Sequence, residues 1–223
     1  MRLLAIETAT DVCSVSVADE DRVLSESAVF ESRKHSELLA TLIQEQTVER
    51  GYPLHTFDGV AVSIGPGSFT GLRIGLSTAK GILFGSGRML FAVPTLMASA
   101  WGSRHLAEQI GVLHHSHGEY YFFAEYRLSG PVETIQKPVR APLAGLADKI
   151  HTDTPLILQA PRNIDLPGEI HPNFVLPGRV SAKNVAELAF TFPEQFNVEE
   201  INRVEPDYLR EYEAIKYANP LDK

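Results

Sequence analysis

A single cysteine, Cys13, stands among 223 residues, so no disulfide framework is available and a reducing compartment suits the chain. It lies in an alternating run and reads as a small buried hydrophobe rather than a reactive thiol. Basic side chains are the scarcer sign, 20 against 28 acids, for a net charge of -8 and an isoelectric point near 5.5. That balance excludes the extended cationic surface with which proteins hold RNA or DNA directly. No apolar run approaches the roughly 18 residues of a membrane helix. Glu7 interrupts the N-terminal stretch too early for a secretory signal core. A cytoplasmic protein without membrane contact is expected. Internal repeats and low-complexity segments are also missing. With 44% apolar and 22% charged residues, the chain can build a core and has room for one large domain or two small lobes.

Several catalytic signatures are missing as well. No Gly-x-Ser-x-Gly elbow exists, so a serine hydrolase has no basis. No His-x-x-x-His pair exists, so the cluster His114, His115, His117 and Glu119 offers a metal at most two ligands: in an extended strand His115 and His117 share a face while His114 points away. What the chain does contain is the string Gly65-Pro66-Gly67-Ser68-Phe69-Thr70-Gly71-Leu72-Arg73-Ile74-Gly75. It joins a β-branched strand over 59–64 to a helix over 70–85. Such turns present backbone N–H groups to phosphates; the alternative is a tight connection without a ligand. Two familiar phosphate loops are excluded. Gly71 is followed by Leu72 and Arg73, so the lysine of a Walker loop is missing, and Thr70 stands where a dinucleotide loop needs a third glycine.

The order of elements predicts the fold class. Strands over Leu3 to Glu7, Cys13 to Ala18 and Val23 to Phe30 form a meander with turns at Thr8 to Asp11 and Asp19 to Asp21. A helix over 36–50 carries Leu38, Leu39, Leu42 and Ile43 at helical spacing. Strand 59–64, helix 70–85, strand 89–92 and helix 95–106 follow. A meander that takes on crossover helices gives a mixed sheet, the pattern of the ribonuclease-H-like lobe of actin, hexokinase and Hsp70-type ATPases. Paired strands at 111–113 and 120–127, short strands at 156–159 and 174–176, and a helix capped by Ser181 are expected beyond it. The whole reads as an α/β, two-lobed, actin-like fold with mixed sheets flanked by helices. Its first lobe spans 1–103, a smaller second lobe 104–204, and a tail 205–223 that packs back on the first lobe.

In an actin-like lobe the first hairpin turn faces phosphates, which makes Glu7, Thr8, Thr10 and Asp11 candidates beside Gly65, Gly67, Ser68 and Thr70; the same hydroxyls also serve as ordinary turn formers. A second-lobe phosphate loop is missing, which weakens the case for catalysis. A different pattern runs along the helices. Gly71, Gly75 and Ala79 recur every four residues, as do Ser77, Gly81 and Gly85, and helical glycine costs about 1 kcal/mol against alanine. Close contacts must compensate. Some of these residues must pack against the chain's own sheet, and part of the surface is expected to dock another subunit, at His35, Leu38, Leu39, Leu42, Gly71, Leu72, Gly75 and Ala79.

Several strings carry a family resemblance: Leu4-Ala5-Ile6-Glu7-Thr8-Ala9-Thr10, His35-Ser36-Glu37-Leu38-Leu39, the whole Gly65 to Gly75 string, Val93-Pro94-Thr95-Leu96, Gly118-Glu119-Tyr120-Tyr121 and Pro206-Asp207-Tyr208-Leu209-Arg210. Together they resemble the TsaB (YeaZ) family over nearly the whole chain. The resemblance implies a non-catalytic, actin-like relative of TsaD that binds TsaD through first-lobe helices. With the ATPase TsaE, such proteins support transfer of threonylcarbamoyl to adenosine 37 of tRNA, meeting the tRNA only through the complex. It also implies no cofactor or metal of its own and a homodimer in isolation. Where the family usually reads Asp-Ala-Arg, this chain has His114, His115 and Ser116. Two alternatives stay open: an ATP-dependent carbamoyl or phosphoryl transferase using Thr8, Thr10, Gly67, Ser68 and Thr70, and a metallopeptidase using His115 and His117.

Overall fold

Alternating apolar residues and acidic turns begin the chain with an antiparallel meander of β1 (Arg2–Glu7), β2 (Cys13–Asp19) and β3 (Arg22–Val29). The computed structural model describes residues 1–19, 22–30, 35–160 and 175–209. Helix α1 (His35–Gln44) gives way to a π-helical turn, Glu45–Glu49, short of the single helix expected to residue 50. That turn is tied to β3, because Ser27 donates to Glu45 Oε1 at 2.6 Å and Gln46 Nε2 donates to Ser27 at 2.7 Å. Strand β4 (Gly59–Gly65) runs parallel to β1, and β5 (Met89–Pro94) parallel to β4. Their crossovers are α1 and α2 (Phe69–Leu83), and α3 (Thr95–Gly102) leaves β5. Helix α3 ends at Gly102 rather than at the expected 106, where it abuts Asn184.

The second sheet has the order β10-β9-β6-β7-β8, from β6 (Gln109–His117), β7 (Tyr120–Arg127), β8 (Glu133–Pro142), β9 (Leu156–Gln159) and β10 (Val175–Pro177). Strand β8 was not predicted, since Glu133, Thr134, Gln136, Lys137 and Pro138 look like a loop. As an edge strand it tolerates proline, and Pro138 falls where the register with β7 shifts.

After β10 the chain returns to the first sheet. Helix α4 (Ala182–Thr191) starts on a capping box of Ser181 and Asn184, and its first amide, Ala182 N, donates to Ser14 Oγ of β2 at 2.8 Å. Helix α5 (Pro193–Phe196) leads into β11 (Asn197–Val198), which pairs antiparallel with β5 and completes the first sheet as β11-β5-β4-β1-β2-β3. Residues of α4 and β11, within the 104–204 span, thus pack on or pair with the first sheet. A 3-10 turn, Ile201–Arg203, then starts a strap of residues that reaches Leu209 alongside α2. The tail expected over 205–223 lies mostly outside the described residues, which end at 209.

Three apolar clusters hold these layers. One, under α1 and α2, joins Leu4, Ile6, Leu39, Leu42, Leu76 and Leu83. The largest lies between the sheets and contains α3 and α4 together with Leu3, Phe91, Phe122 and Ile157. A third backs the second sheet with Leu113, Phe123 and Leu146. Among the described residues no helix is long and apolar enough to cross a membrane.

Candidate functional site

The Gly65 to Gly75 string forms a strand-to-helix turn in which Gly65, Ser68 and Gly71 are engaged within the chain. Ser68 caps α2 by accepting from Gly71 N at 3.2 Å, and its own N–H donates to Ala9 O at 2.7 Å. Thr8 Oγ1 donates to Gly71 O at 2.8 Å, and Gly65 N donates to Thr95 Oγ1 at 3.1 Å. Each glycine has a backbone or hydroxyl neighbour where a Cβ would stand: Asp207 O at Gly65, Ala9 O at Gly67, Thr8 O at Gly71 and Thr8 Oγ1 at Gly75. Gly65 also adopts φ +125, a region open to glycine. The glycines thus let α2 and the strap press onto the first hairpin turn.

The predicted phosphate residues separate accordingly. Thr10, Gly67 and Ser68 line a cleft of about 170 Å³ between the lobes, opposite His114, His115 and Gln159. Thr8 and Gly65 are buried beneath it, while Thr70 faces solvent on α2. Asp11 contributes a carboxylate to the lining, and among the described residues no lysine or arginine lines it. Among those residues a triphosphate would meet the N-terminus of α2 and an opposing acid.

Two buried ionisable groups flank this cleft. Glu7 is fully buried at the end of β1, where Oε1 accepts from Ala9 N at 2.7 Å and Oε2 has no hydrogen-bond partner. Burial pushes its carboxyl up to about 7, against the opposing effect of the Ser63 hydroxyl and the Ala9 amide. His114 is 3% exposed, with Nε2 3.0 Å from Ser99 Oγ, and burial pushes it down to about 3. A shift in register between His115 and His117 breaks the alternation expected there. His115 packs edge-on against Tyr121 with Nε2 2.9 Å from Gly118 O, while His117 is exposed, so the three histidines do not converge.

The residues expected at a subunit interface also need correction. His35, Leu39, Leu42, Gly71, Leu72, Gly75 and Ala79 are buried in this chain's own packing, and Leu38 is half-buried. Their spacing marks the stripe each helix turns toward the sheet. The outward positions are Ala40, Thr41 and Gln44 on α1, and Ser77, Gly81 and Phe84 along and just past α2. Phe84 is 88% exposed, and a Cβ on Gly81 would meet nothing within 4 Å. The exposed one of the two small-residue tracks is therefore the Ser77 and Gly81 track. Local patterning cannot separate the tracks, because both recur every fourth residue.

Two mixed sheets with helices between and outside them, and a cleft at the first hairpin, define a two-lobed actin-like protein. The family model described as TsaD, tRNA N6-adenosine threonylcarbamoyltransferase, matches residues 29–214. The chain belongs to this family, on its TsaB (YeaZ) branch. It is 35% identical over 132 residues to the tRNA threonylcarbamoyladenosine biosynthesis protein TsaB of Escherichia coli, a match covering 57% of this chain and 55% of that protein. It is 33% identical over 124 residues to the tRNA N6-adenosine threonylcarbamoyltransferase of Sinorhizobium medicae, covering 47% of this chain and 34% of the relative. The matches thus span about half or less of these relatives. Among solved structures, YeaZ from Pseudomonas aeruginosa superposes with a TM-score of 0.75 at 22% identity, covering 93% of this chain and 99% of the other. That likeness concerns the fold.

Proposed function

We propose that this chain is a non-catalytic scaffold subunit in threonylcarbamoylation of tRNA adenosine 37, docking TsaD on the outward face of α1 and α2 and working with TsaE. The observation that carries the reading is the glycine turn. Gly65 N donates to Thr95, Ser68 N to Ala9 and Gly71 O accepts from Thr8, so the turn is pinned to the first hairpin, while the helix it launches leaves Ser77 and Gly81 exposed. Small exposed residues on a helix let a partner helix approach closely. The names of the TsaB relatives support the process; the use of the same face in a homodimer when TsaD is absent follows from the reading.

The test is capture of TsaD by the variant Ser77→Arg/Gly81→Arg. Both side chains point away from the core, so the variant should stay folded, and its affinity should fall by about a hundredfold, as for charges placed at a packed interface centre. Wild-type capture would remove the surface assignment. Reconstituted tRNA modification should require the chain, whereas calorimetry of the isolated chain with ATP and Mg²⁺ should be silent. Binding with turnover would restore the transferase alternative.

A further inference from the structure

Helix α2 is enclosed on more sides than a surface helix usually is. Leu72, Leu76 and Ala79 face the sheet, α1 lies along one flank, and the strap lies along another. Arg73 and Lys80 are seven residues apart, two helical turns or about 10 Å along one side of the helix. Lys80 Nζ donates to Asn202 O at 3.1 Å and to Val204 O at 2.8 Å. Arg73 Nε donates to Tyr208 Oη at 2.9 Å, and its guanidinium stands 3.9 Å from the Phe69 ring centre. The Phe69 and Tyr208 rings are 4.7 Å apart. Between these points Asp207 N donates to Ile64 O at 2.7 Å, and the Asp207 carbonyl covers Gly65. Ile201 and Val204 pack into the cluster under α1 and α2.

We infer that the strap from Ile201 to Leu209 positions α2 for partner docking, with Tyr208 and Lys80 as its two positioning residues. The inference rests on the docking reading above. The strap supplies backbone carbonyls to Lys80 and an aromatic lid to Arg73, and neither grip touches the outward track of Ser77 and Gly81. Its effect on a partner is therefore exerted through the placement of α2. At the N-terminal end the grip fixes the first turn, where Phe69 and Thr70 precede the first intrahelical bonds. At the other end it holds the stretch leading to Gly81. A partner that packs closely on small residues needs that helix in one place, because preorganisation sets how much ordering must occur on binding.

The experiment compares Tyr208→Ala, Tyr208→Phe and Lys80→Met with wild type, reading affinity for TsaD and amide exchange along α2. Tyr208→Ala should weaken TsaD binding about tenfold and speed exchange in the first turn of α2 by a similar factor, as the loss of an aromatic and hydrogen-bonded contact allows. Tyr208→Phe, which keeps the ring stack, should recover most of both. Lys80→Met should weaken binding with faster exchange near Gly81, and it carries the test if Tyr208→Ala does not fold. A control of reduced stability remote from α2, Ile150→Val, should bind TsaD as wild type does. Wild-type affinity in both Tyr208→Ala and Lys80→Met overturns the strap inference and leaves the docking surface standing. Wild-type affinity in Ser77→Arg/Gly81→Arg overturns the docking surface instead, and the positioning role with it, while accelerated exchange would still report the strap's grip on the helix.

Discussion

Gly71→Ala is expected to destabilise the protein severely, while Gly81→Ala, ten residues along the same helix, should stabilise it. Helix propensity favours alanine at both sites by up to about 1 kcal/mol. At Gly71 the new methyl would occupy the place of the Thr8 carbonyl oxygen, a backbone atom at the end of β1 that cannot rotate aside. Relief requires α2 to lift from the hairpin, breaking the bond from Thr8 Oγ1 to Gly71 O. Overpacking typically costs about 1–3 kcal/mol and can exceed that where the obstructing atom is backbone, which outweighs the propensity gain. At Gly81 no atom lies within 4 Å of the new methyl, so the propensity gain stands. Urea unfolding of the two variants should move the midpoint in opposite directions. Equal destabilisation by both would show that the tight fit at Thr8 does not govern the turn. Gly75→Ala should resemble Gly71→Ala in milder form, since the obstacle there is the Thr8 hydroxyl, which has a rotamer to move into.

The second large effect concerns pH, where two buried groups act with opposite sign. Glu7 has a folded pKa of about 7 against 4.5 unperturbed. The folded state therefore keeps a proton that the unfolded chain releases, and stability falls as pH rises from 4.5 to 7. The loss totals about 3 kcal/mol. His114 has a folded pKa of about 3 against 6.5 unperturbed. The unfolded chain takes up a proton that the folded state refuses, so this group lowers stability as pH falls from 6.5 toward 3. Between about 4.5 and 6.5 the two slopes oppose each other, each at most about 1.4 kcal/mol per pH unit. Glu7→Gln should uncover the rise of stability with pH due to His114, and His114→Gln should uncover the fall due to Glu7. Denaturant unfolding of wild type and both variants from pH 4.5 to 7.5 checks this. Parallel pH profiles for the three proteins would mean that neither group is held in its buried protonation state.

The legible parts of this fold are those dictated by local patterning. Alternation from Cys13 to Val17 and the β-branched run from Val60 to Ile64 gave strands, and glycine and proline marked the turn into α2. The meander followed by crossovers was enough for an actin-like sheet. Strand β8 escaped notice because its partner, β7, supplies the ladder that its own Pro138 and charged residues do not advertise. The return of α4 and β11 to the first sheet depends on contacts between residues more than a hundred positions apart. The site residues are less legible than the strands. Helical spacing picks out the apolar stripe through Leu39, Leu42 and Leu72, which is the stripe a helix buries in its own domain. The docking surface proposed above lies on the complementary face, where Ala40, Thr41 and Gln44 carry no periodic signal. Likewise, a glycine-rich turn has the same composition whether its neighbour is a phosphate or the backbone of Thr8 and Asp207.

The bond from Ala182 N to Ser14 Oγ spans 168 positions, and it bears on the order in which the chain can fold. During synthesis the meander of β1, β2 and β3 emerges first, yet one face of that sheet waits for α4, and its far edge waits for β11. Ribosomal elongation at about 5–20 residues per second leaves that apolar face uncovered for roughly 8 to 30 seconds. A nascent chain with Leu3, Ala5 and Phe91 unburied carries the kind of exposed apolar surface that makes folding intermediates aggregation-prone, and burial of that face awaits the arrival of α4 and β11 rather than the translation of the meander itself.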